Sequence, residues 1–202
     1  MAWEAYKQGT IPIGAAILNT DDEIVSAERN QQYNEGDGII KLHQIAHAEI
    51  NAILNLSEVT DESVRKNIRT YTLYTTMEPC PLCFGAIVMG SIRNVKYAAR
   101  DSYAGASALN NSIPYIKNKG IKVYGPYAEL EFIQIAMQSC YELQRGSYAD
   151  ALLPSWKKIG DKGVLTGEDL FKNHILQDMA GNEFSEVYDF ILKYIGGVKQ
   201  WK

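Results

Sequence analysis

The stretch YTLYTTMEPCPLCFGAIVMGSI, residues 71–92, decides the fold of this chain. Its first seven residues are aromatic, β-branched or otherwise apolar, which is typical of a buried strand. Residues 80–92 then predict an apolar helix with Pro81 in its first turn, where the missing N–H of proline costs nothing. The stretch therefore predicts a strand that leads directly into a helix, with Cys80 and Cys83 at the junction.

Cys80 and Cys83 lie three positions apart at the predicted helix start. Side chains at this spacing share one helix face, so both sulfurs can reach the same metal ion. The partial positive charge of a helix N-terminus favours their thiolate forms. The pair predicts a metal site. A closed structural zinc site is the alternative, but a second C-x-x-C pair is missing.

Residues 45–56, IAHAEINAILNL, predict a second helix that is buried on much of its circumference. His47 stands at its head and can supply a neutral imidazole as third ligand. Three protein ligands leave one open position on a tetrahedral zinc, which is the pattern of catalytic sites, and thiolate-plus-imidazole ligation favours zinc.

Glu49 follows in the first turn of this helix, where its longer side chain can reach alongside His47. Two thiolates weaken zinc as a Lewis acid, so a nearby base is needed to complete water activation. Glu49 is predicted to be that base; the alternative is an ordinary acid on the helix surface.

The rest of the chain predicts an α/β fold with a mixed sheet flanked by helices. A helix tail is expected at 1–9, a loop at 30–44, and a helix at 127–146 that stops at Gly146. Further strands are predicted at 11–18, 23–28, 95–99 and 121–125. Beyond residue 146 the pattern weakens, with two helices predicted at 167–176 and 184–195. We therefore expect a domain at 1–146 and a mostly helical C-terminal extension of unknown role at 147–202.

Composition narrows the function classes. The chain has 202 residues, three cysteines and a formal charge of -4, with a pI near 5.4. An acidic balance disfavours a long polyphosphate such as tRNA as partner without excluding a local basic patch. An odd cysteine count without a signal peptide, and without a long apolar run, predicts a cytoplasmic protein that does not enter a membrane.

Residues 11 to about 108 resemble the cytidine/deoxycytidylate deaminase superfamily, and specifically its branch of guanine deaminases and tRNA adenosine deaminases. An H-x-E motif followed by P-C-x-x-C is the signature of zinc-dependent nucleobase deaminases. The matching segments are IPIGAAIL (11–18), Asn30, HAEINAI (47–53), TLYTTMEPCPLCFGAI (72–87) and VKYAARDSYAGAS (95–107).

The resemblance implies a three-layer α/β/α sandwich, commonly a homodimer, in which His47, Cys80 and Cys83 bind zinc and Glu49 moves protons. It further implies that Asn30 hydrogen-bonds the base or sugar, although Asn30 could simply cap a turn. Asp101 would contact the sugar side of the substrate, or else act as a helix cap or a surface acid.

The chain also departs from the family pattern. The predicted helix 127–146 carries three glutamates and one arginine, whereas tRNA-acting relatives tend to be basic there. The connection at 57–70 is longer than expected, and the extension after residue 146 lies outside the family core.

Three functions follow from these observations. The first is a hydrolase of a C–N bond in a cyclic amidine, acting on a small nucleobase or nucleoside, with a purine favoured and a place in nucleoside metabolism. The second is a tRNA-specific adenosine deaminase that forms inosine. The third is an inactive zinc-binding interaction module.

Overall fold

The computed structural model describes residues 1–58 and 62–194. The chain divides into two compact units, Met1–Pro126 and Tyr127–Lys202. The first unit holds the sheet, and the described residues of the second unit contain helices and connecting turns. Among the described helices, none is both long enough and apolar enough to cross a membrane.

The first unit is built on a five-stranded sheet in the order β2-β1-β3-β4-β5. Strand β1 runs antiparallel to both β2 and β3, whereas β3, β4 and β5 run parallel. The strands are β1 Gly14–Leu18, β2 Ile24–Arg29, β3 Thr72–Met77, β4 Asn94–Ala99 and β5 Lys122–Tyr124. The helices are α1 Ala2–Lys7, α2 Ala48–Glu58, α3 Glu62–Asn67, α4 Pro81–Met89 and α5 Pro114–Lys117, with a 3-10 turn at Ser107–Asn111.

Helices α2 and α4 share one core with the sheet. The cluster joins alternate strand residues to one side of each helix, so both helices cover the same face of the sheet. Burying each large aliphatic side chain there contributes roughly 1.5–3 kcal/mol. Its most enclosed members are Ile17, Ala48, Ala52, Leu56, Leu73, Phe84, Ile87, Ile92 and Val95.

Strand direction brings three chain segments to one edge of the sheet. Since β2 and β3 both run antiparallel to β1, the strands β2, β3 and β4 all point the same way. Asn30 follows the end of β2, Glu78 follows β3, and Arg100 follows β4. Ligands of parallel sheets bind beyond such carboxyl ends.

The predicted cytidine deaminase-like α/β fold, with its mixed sheet and helical C-terminal region, is confirmed. The main local differences are at element ends: β1 begins at Gly14, three residues later than predicted, and α2 begins at Ala48. Short turns precede α2, in which the N–H of Ala46 donates to His43 O and that of His47 donates to Ile45 O. In the long connection predicted at 57–70, residues 62–67 form α3 and residues 59–61 lie outside the described residues.

The second unit contains α6 Ala128–Arg145, α7 Ala149–Lys172, α8 Ile175–Asp178 and α9 Phe184–Lys193. Helix α6 matches the predicted helix, and Gly146 ends it in the left-handed conformation at φ 76°. Helix α7 begins 18 residues before the predicted helix at 167–176, and residue 195 of the other predicted helix lies outside the described residues. Pro154 and three glycines weaken the helical pattern over this region, and the backbone of Gly160 is indeed non-helical at φ -169°.

Packing within the second unit explains two of the glycines in α7, Gly163 and Gly167. A Cβ on Gly163 would lie 2.9 Å from Ile135 Cγ2, and one on Gly167 would lie 2.5 Å from Ala136 O. Small residues let two helix backbones approach closely, so α6 and α7 pack together. The compact units accordingly divide before α6, whereas the sequence predicts a domain boundary at 146/147; that domain boundary stays a prediction.

Replacing Gly167 with alanine tests this close approach. The added Cβ meets backbone atoms that cannot rotate away, so we expect the free energy of unfolding to fall by about 1–3 kcal/mol despite the better helix propensity of alanine. Thermal and urea unfolding measure the change. The matched control is Gly181→Ala, whose Cβ would meet nothing within 4 Å; equal stability of the two variants would contradict the packing.

Candidate metal centre and active site

The start of α4 places the two cysteines. Cys80 is the N-cap residue in an extended conformation, with Pro81 at the first helical position. The N–H of Phe84 donates to Cys80 O at 2.8 Å and closes the first helical turn. Cys83 lies within that turn and is fully buried, while Cys80 is partly exposed. The strand-to-helix junction thus brings both sulfurs to the carboxyl edge of the sheet.

His47 reaches the cysteines from the residue immediately before α2. Its Nδ1 lies 3.5 Å from Cys80 Sγ and 3.3 Å from Cys83 Sγ. A tetrahedral zinc with Zn–N near 2.0–2.1 Å and Zn–S near 2.3 Å requires N···S separations of about 3.6 Å. The three donor atoms lie within 4.8 Å of one another. The donor types and spacing therefore fit a zinc ion with one further position.

Glu49 lies beside this cluster in the first turn of α2 and is only 4% exposed. Burial raises the pKa of its carboxyl, against the opposing effects of a backbone hydrogen bond, the charge of His47 and a side-chain hydrogen bond with Cys83. A raised pKa makes the carboxyl a better proton acceptor, as a group that moves protons requires.

The surroundings shift the pKa values of the two thiols in opposite directions. Hydrogen bonding with the Cys83 thiol, together with His47, lowers the pKa of Cys80 to about 4, although burial opposes the change. The same contact and burial raise the pKa of Cys83. Burial lowers the pKa of His47, but its contacts with Cys80 and the charge of Glu49 outweigh burial and leave the pKa raised. One thiolate is thus stabilised by the protein even without a cation.

Asn30 is 2% exposed at the carboxyl end of β2. Its Oδ1 accepts hydrogen bonds from the Thr10 hydroxyl at 2.8 Å and the Gln32 N–H at 3.0 Å, and its Nδ2 donates to Gln32 Oε1 at 3.2 Å. The side chain is therefore held in a fixed orientation. Its bond to the Gln32 N–H is the turn-capping contact that the sequence left open, and its predicted role toward substrate stays a prediction.

Asp101 follows β4 and is half-buried. Its Oδ1 accepts the N–H of Tyr103 at 3.0 Å, so the carboxylate caps the turn that it begins. His43 behaves similarly, since its exposed Nδ1 accepts the N–H of Ile45 at 3.2 Å. A role for Asp101 in substrate binding stays a prediction.

Two buried amides that sequence reasoning passed over hold the loop at 30–46. Asn51, one turn after His47, pairs with both the N–H and the C=O of Ile40 at 2.9 Å. Gln31 accepts the N–H of Gly38 at 2.8 Å. Asn51 is a fully buried polar residue on α2, and it fastens the loop to the element that carries Glu49.

The chain belongs to the cytidine and deoxycytidylate deaminase family. The family model of the cytidine and deoxycytidylate deaminase zinc-binding region matches residues 1–99. Over 124 residues the chain is 31% identical to the tRNA-specific adenosine deaminase of Rickettsia felis, in a match that covers 60% of this chain and 77% of the relative. It therefore belongs to a family of zinc-type nucleotide and nucleoside deaminases.

Other relatives differ in what they act on. The cytosine deaminase of Candida albicans is 28% identical over 108 residues, or 54% of this chain. A solved structure from a study of A-to-I editing by tRNA:A34 deaminases is 28% identical, with a TM-score of 0.52, and covers 64% of this chain and 88% of that one. The chain spans 65% of the cytosine deaminase and as little as 17% of another relative.

Metal content tests the geometry of the centre. We expect His47→Ala and Cys83→Ser to bind far less than one zinc per chain, because each removes a ligand from a three-ligand set. Elemental analysis after dialysis against buffer without metal measures this. Cys140→Ala is the control, since Cys140 lies in α6, outside the cluster. Full zinc occupancy of the Cys83 variant would contradict the assignment.

Proposed function

We propose that the chain is a hydrolytic deaminase in which His47, Cys80 and Cys83 hold zinc and Glu49 moves protons. The observation that carries this proposal is the convergence of one imidazole, two sulfurs and a buried carboxyl within the first turns of α2 and α4. Three ligands, rather than four, suit a reacting centre rather than a closed structural one.

Zinc held by His47, Cys80 and Cys83 would lower the pKa of a water molecule bound beside them. Glu49 takes up the proton released from water, because burial favours its protonated form. Glu49 delivers this first proton to the ring nitrogen beside the reacting carbon as the water oxygen bonds to that carbon. It then takes the second proton of the former water and passes it to the amino group, which leaves as ammonia while the carbon–oxygen double bond forms. A carboxyl of ordinary pKa would hold that proton more weakly, so the burial of Glu49 is part of its function.

We propose a small nucleobase or nucleoside as substrate, with a purine favoured. Helix α6 supports this choice, because Glu129, Glu131 and Glu142 outnumber its single basic residue, Arg145, and the chain is acidic as a whole. A relative named cytosine deaminase shows that the family includes proteins that act on a free base. Asn30 would hydrogen-bond the base or sugar and Asp101 the sugar side, both from the carboxyl edge of the sheet.

The second candidate is deamination of adenosine in tRNA to inosine. Its support is the similarity to tRNA-specific adenosine deaminases, including 31% identity over 77% of one relative, and to the structure of a tRNA:A34 deaminase study. The acidic α6 is the observation against it. A cytoplasmic location suits either candidate and stays a prediction of the sequence.

A substrate panel separates the candidates. Purified zinc-loaded protein is incubated with guanine, guanosine, adenine, adenosine, cytosine and cytidine, and with an anticodon stem-loop that carries adenosine at the wobble position. We expect ammonia from at least one free purine base or nucleoside and no inosine in the RNA. Inosine in the stem-loop alone would favour the tRNA function, and ammonia from no substrate would exclude the enzyme in favour of an inactive zinc-binding module.

Glu49→Gln is the control that ties this activity to the site. The amide cannot carry the proton, so we expect kcat to fall by about 10²–10⁴-fold while zinc stays bound. Glu23→Gln, at an exposed glutamate near the β1–β2 turn, should keep full activity.

We also propose that the protein forms a homodimer through the outer face of α4. Leu82 and Met89 stand seven residues apart on this helix and are 41% and 70% exposed. The exposed Tyr115 extends the apolar face, since its hydroxyl donates to Met89 Sδ at 3.4 Å. An exposed stripe of this kind on a helix of apolar residues marks an interaction surface.

Met89→Glu tests the dimer. A charge in an apolar interface disfavours association, so light scattering after gel filtration should show a dimer for the unmodified chain and a monomer for the variant. Ile24→Glu, at another exposed apolar residue on β2, should leave the dimer intact. A monomeric parent chain would refute the proposed interface.

A further inference from the structure

The carboxylate of Glu78 occupies the link between β3 and Cys80 and has no part in the mechanism above. Its Oε2 accepts the N–H of Asp101 at 3.2 Å. Its Oε1 accepts the N–H of Ser107 at 3.2 Å and the Ser107 hydroxyl. One carboxylate thus binds both ends of the segment 101–107.

Backbone hydrogen bonds tie the same two stretches together. The N–H of Glu78 donates to Ala99 O at 2.7 Å, and the N–H of Ala106 donates to Pro79 O at 2.9 Å. The two residues that immediately precede Cys80 are therefore held by the last residue of β4 and by the segment that follows this strand. We call these contacts between 78–79 and 99–107 the Glu78 clasp.

Gly105 makes room for the carboxylate in the clasp. A Cβ on Gly105 would lie 2.5 Å from Glu78 Cδ and 2.5 Å from Asp101 O. Such distances are not tolerated, so the side chain of Glu78 rests directly on the backbone of the segment. The N–H of Gly105 also donates to Asp101 O at 2.8 Å and closes the turn.

The clasp has two consequences at the metal centre. A thiolate two residues beyond Glu78 can keep its distance to His47 only if the link before it is fixed. The same carboxylate sets the position of Asp101, because the Asp101 N–H is one of its donors. A candidate ligand and a candidate substrate contact are thus held by one side chain that lies outside the His47–Cys80–Cys83 group.

We infer that Glu78 is the positioning residue of this site, which couples the placement of Cys80 to that of the Asp101 segment. The effect on turnover rests on the proposed function, whereas the effects on metal retention and on the segment itself do not. An anionic carboxylate suits the position because three donors converge on it, and hydrogen bonds to a charged acceptor are about twice as strong as neutral ones.

Glu78→Gln tests the inference, since an amide presents only one acceptor oxygen and must leave one end of the segment unpaired. We expect amide hydrogen exchange at 101–107 and zinc loss to a chelator to accelerate about ten- to a hundredfold, the range for a charge-assisted hydrogen bond. We also expect kcat/KM to fall, with KM raised. Ser107→Ala, which keeps the backbone donors, should show a much smaller change.

Two controls separate positioning from loss of stability. Glu23→Gln has the same chemistry at an exposed turn, and Gly167→Ala destabilises the second unit without touching the clasp. Gly105→Ala should reproduce the effects of Glu78→Gln, because its Cβ displaces the carboxylate, while Gly181→Ala should not. The inference is wrong if the Glu78→Gln variant keeps the parent rates of amide hydrogen exchange at 101–107 and of zinc loss. This holds whether or not the protein deaminates any substrate.

Discussion

The candidate site of the first unit depends on the meeting of one imidazole with two sulfurs at the carboxyl edge of a mixed sheet. Nδ1 of His47 lies 3.3–3.5 Å from both cysteine sulfurs, and this separation requires the starts of α2 and α4 to lie side by side. They do so because both helices bury their apolar sides on the same face of the sheet. Core packing thus sets the geometry of the donors, and a metal ion bound there would link His47 to Cys80, which lie 33 residues apart in the chain.

The electrostatics of the site follow from that packing. Burial raises the pKa of Glu49, whereas hydrogen bonding from neighbouring groups lowers the pKa of Cys80 to about 4. The pKa values of these two neighbouring acids are therefore shifted in opposite directions: Glu49 holds its proton more strongly and Cys80 releases its proton more readily. This is the division expected of a centre that needs an anionic ligand and a proton carrier at the same pH.

Around these groups stands a layer of polar side chains that hold loops. Asn51 pairs with the backbone of Ile40, and Glu78 binds both ends of 101–107. Asn51 lies on the helix that carries Glu49, and Glu78 lies in the link that precedes Cys80, so both loops are fixed to segments that carry candidate site residues. Removal of such a partner leaves backbone donors without an acceptor, which explains why a residue remote from the chemistry can control it.

The sequence by itself predicted the strand-to-helix junction, the candidate ligands and the position of His47 and Glu49 at a helix start, because these follow from local periodicity, proline placement and residue chemistry. It could not reveal the clasp, since Glu78 meets Asp101 and Ser107 only when β3 and β4 pair in register. Nor did it reveal that α7 begins at Ala149, because Pro154, Gly160 and Gly163 argue locally against a helix. Only the tertiary structure decided that point: the close approach of α6 requires Gly163 and Gly167 to be glycine, and packing of this kind outweighs intrinsic propensity.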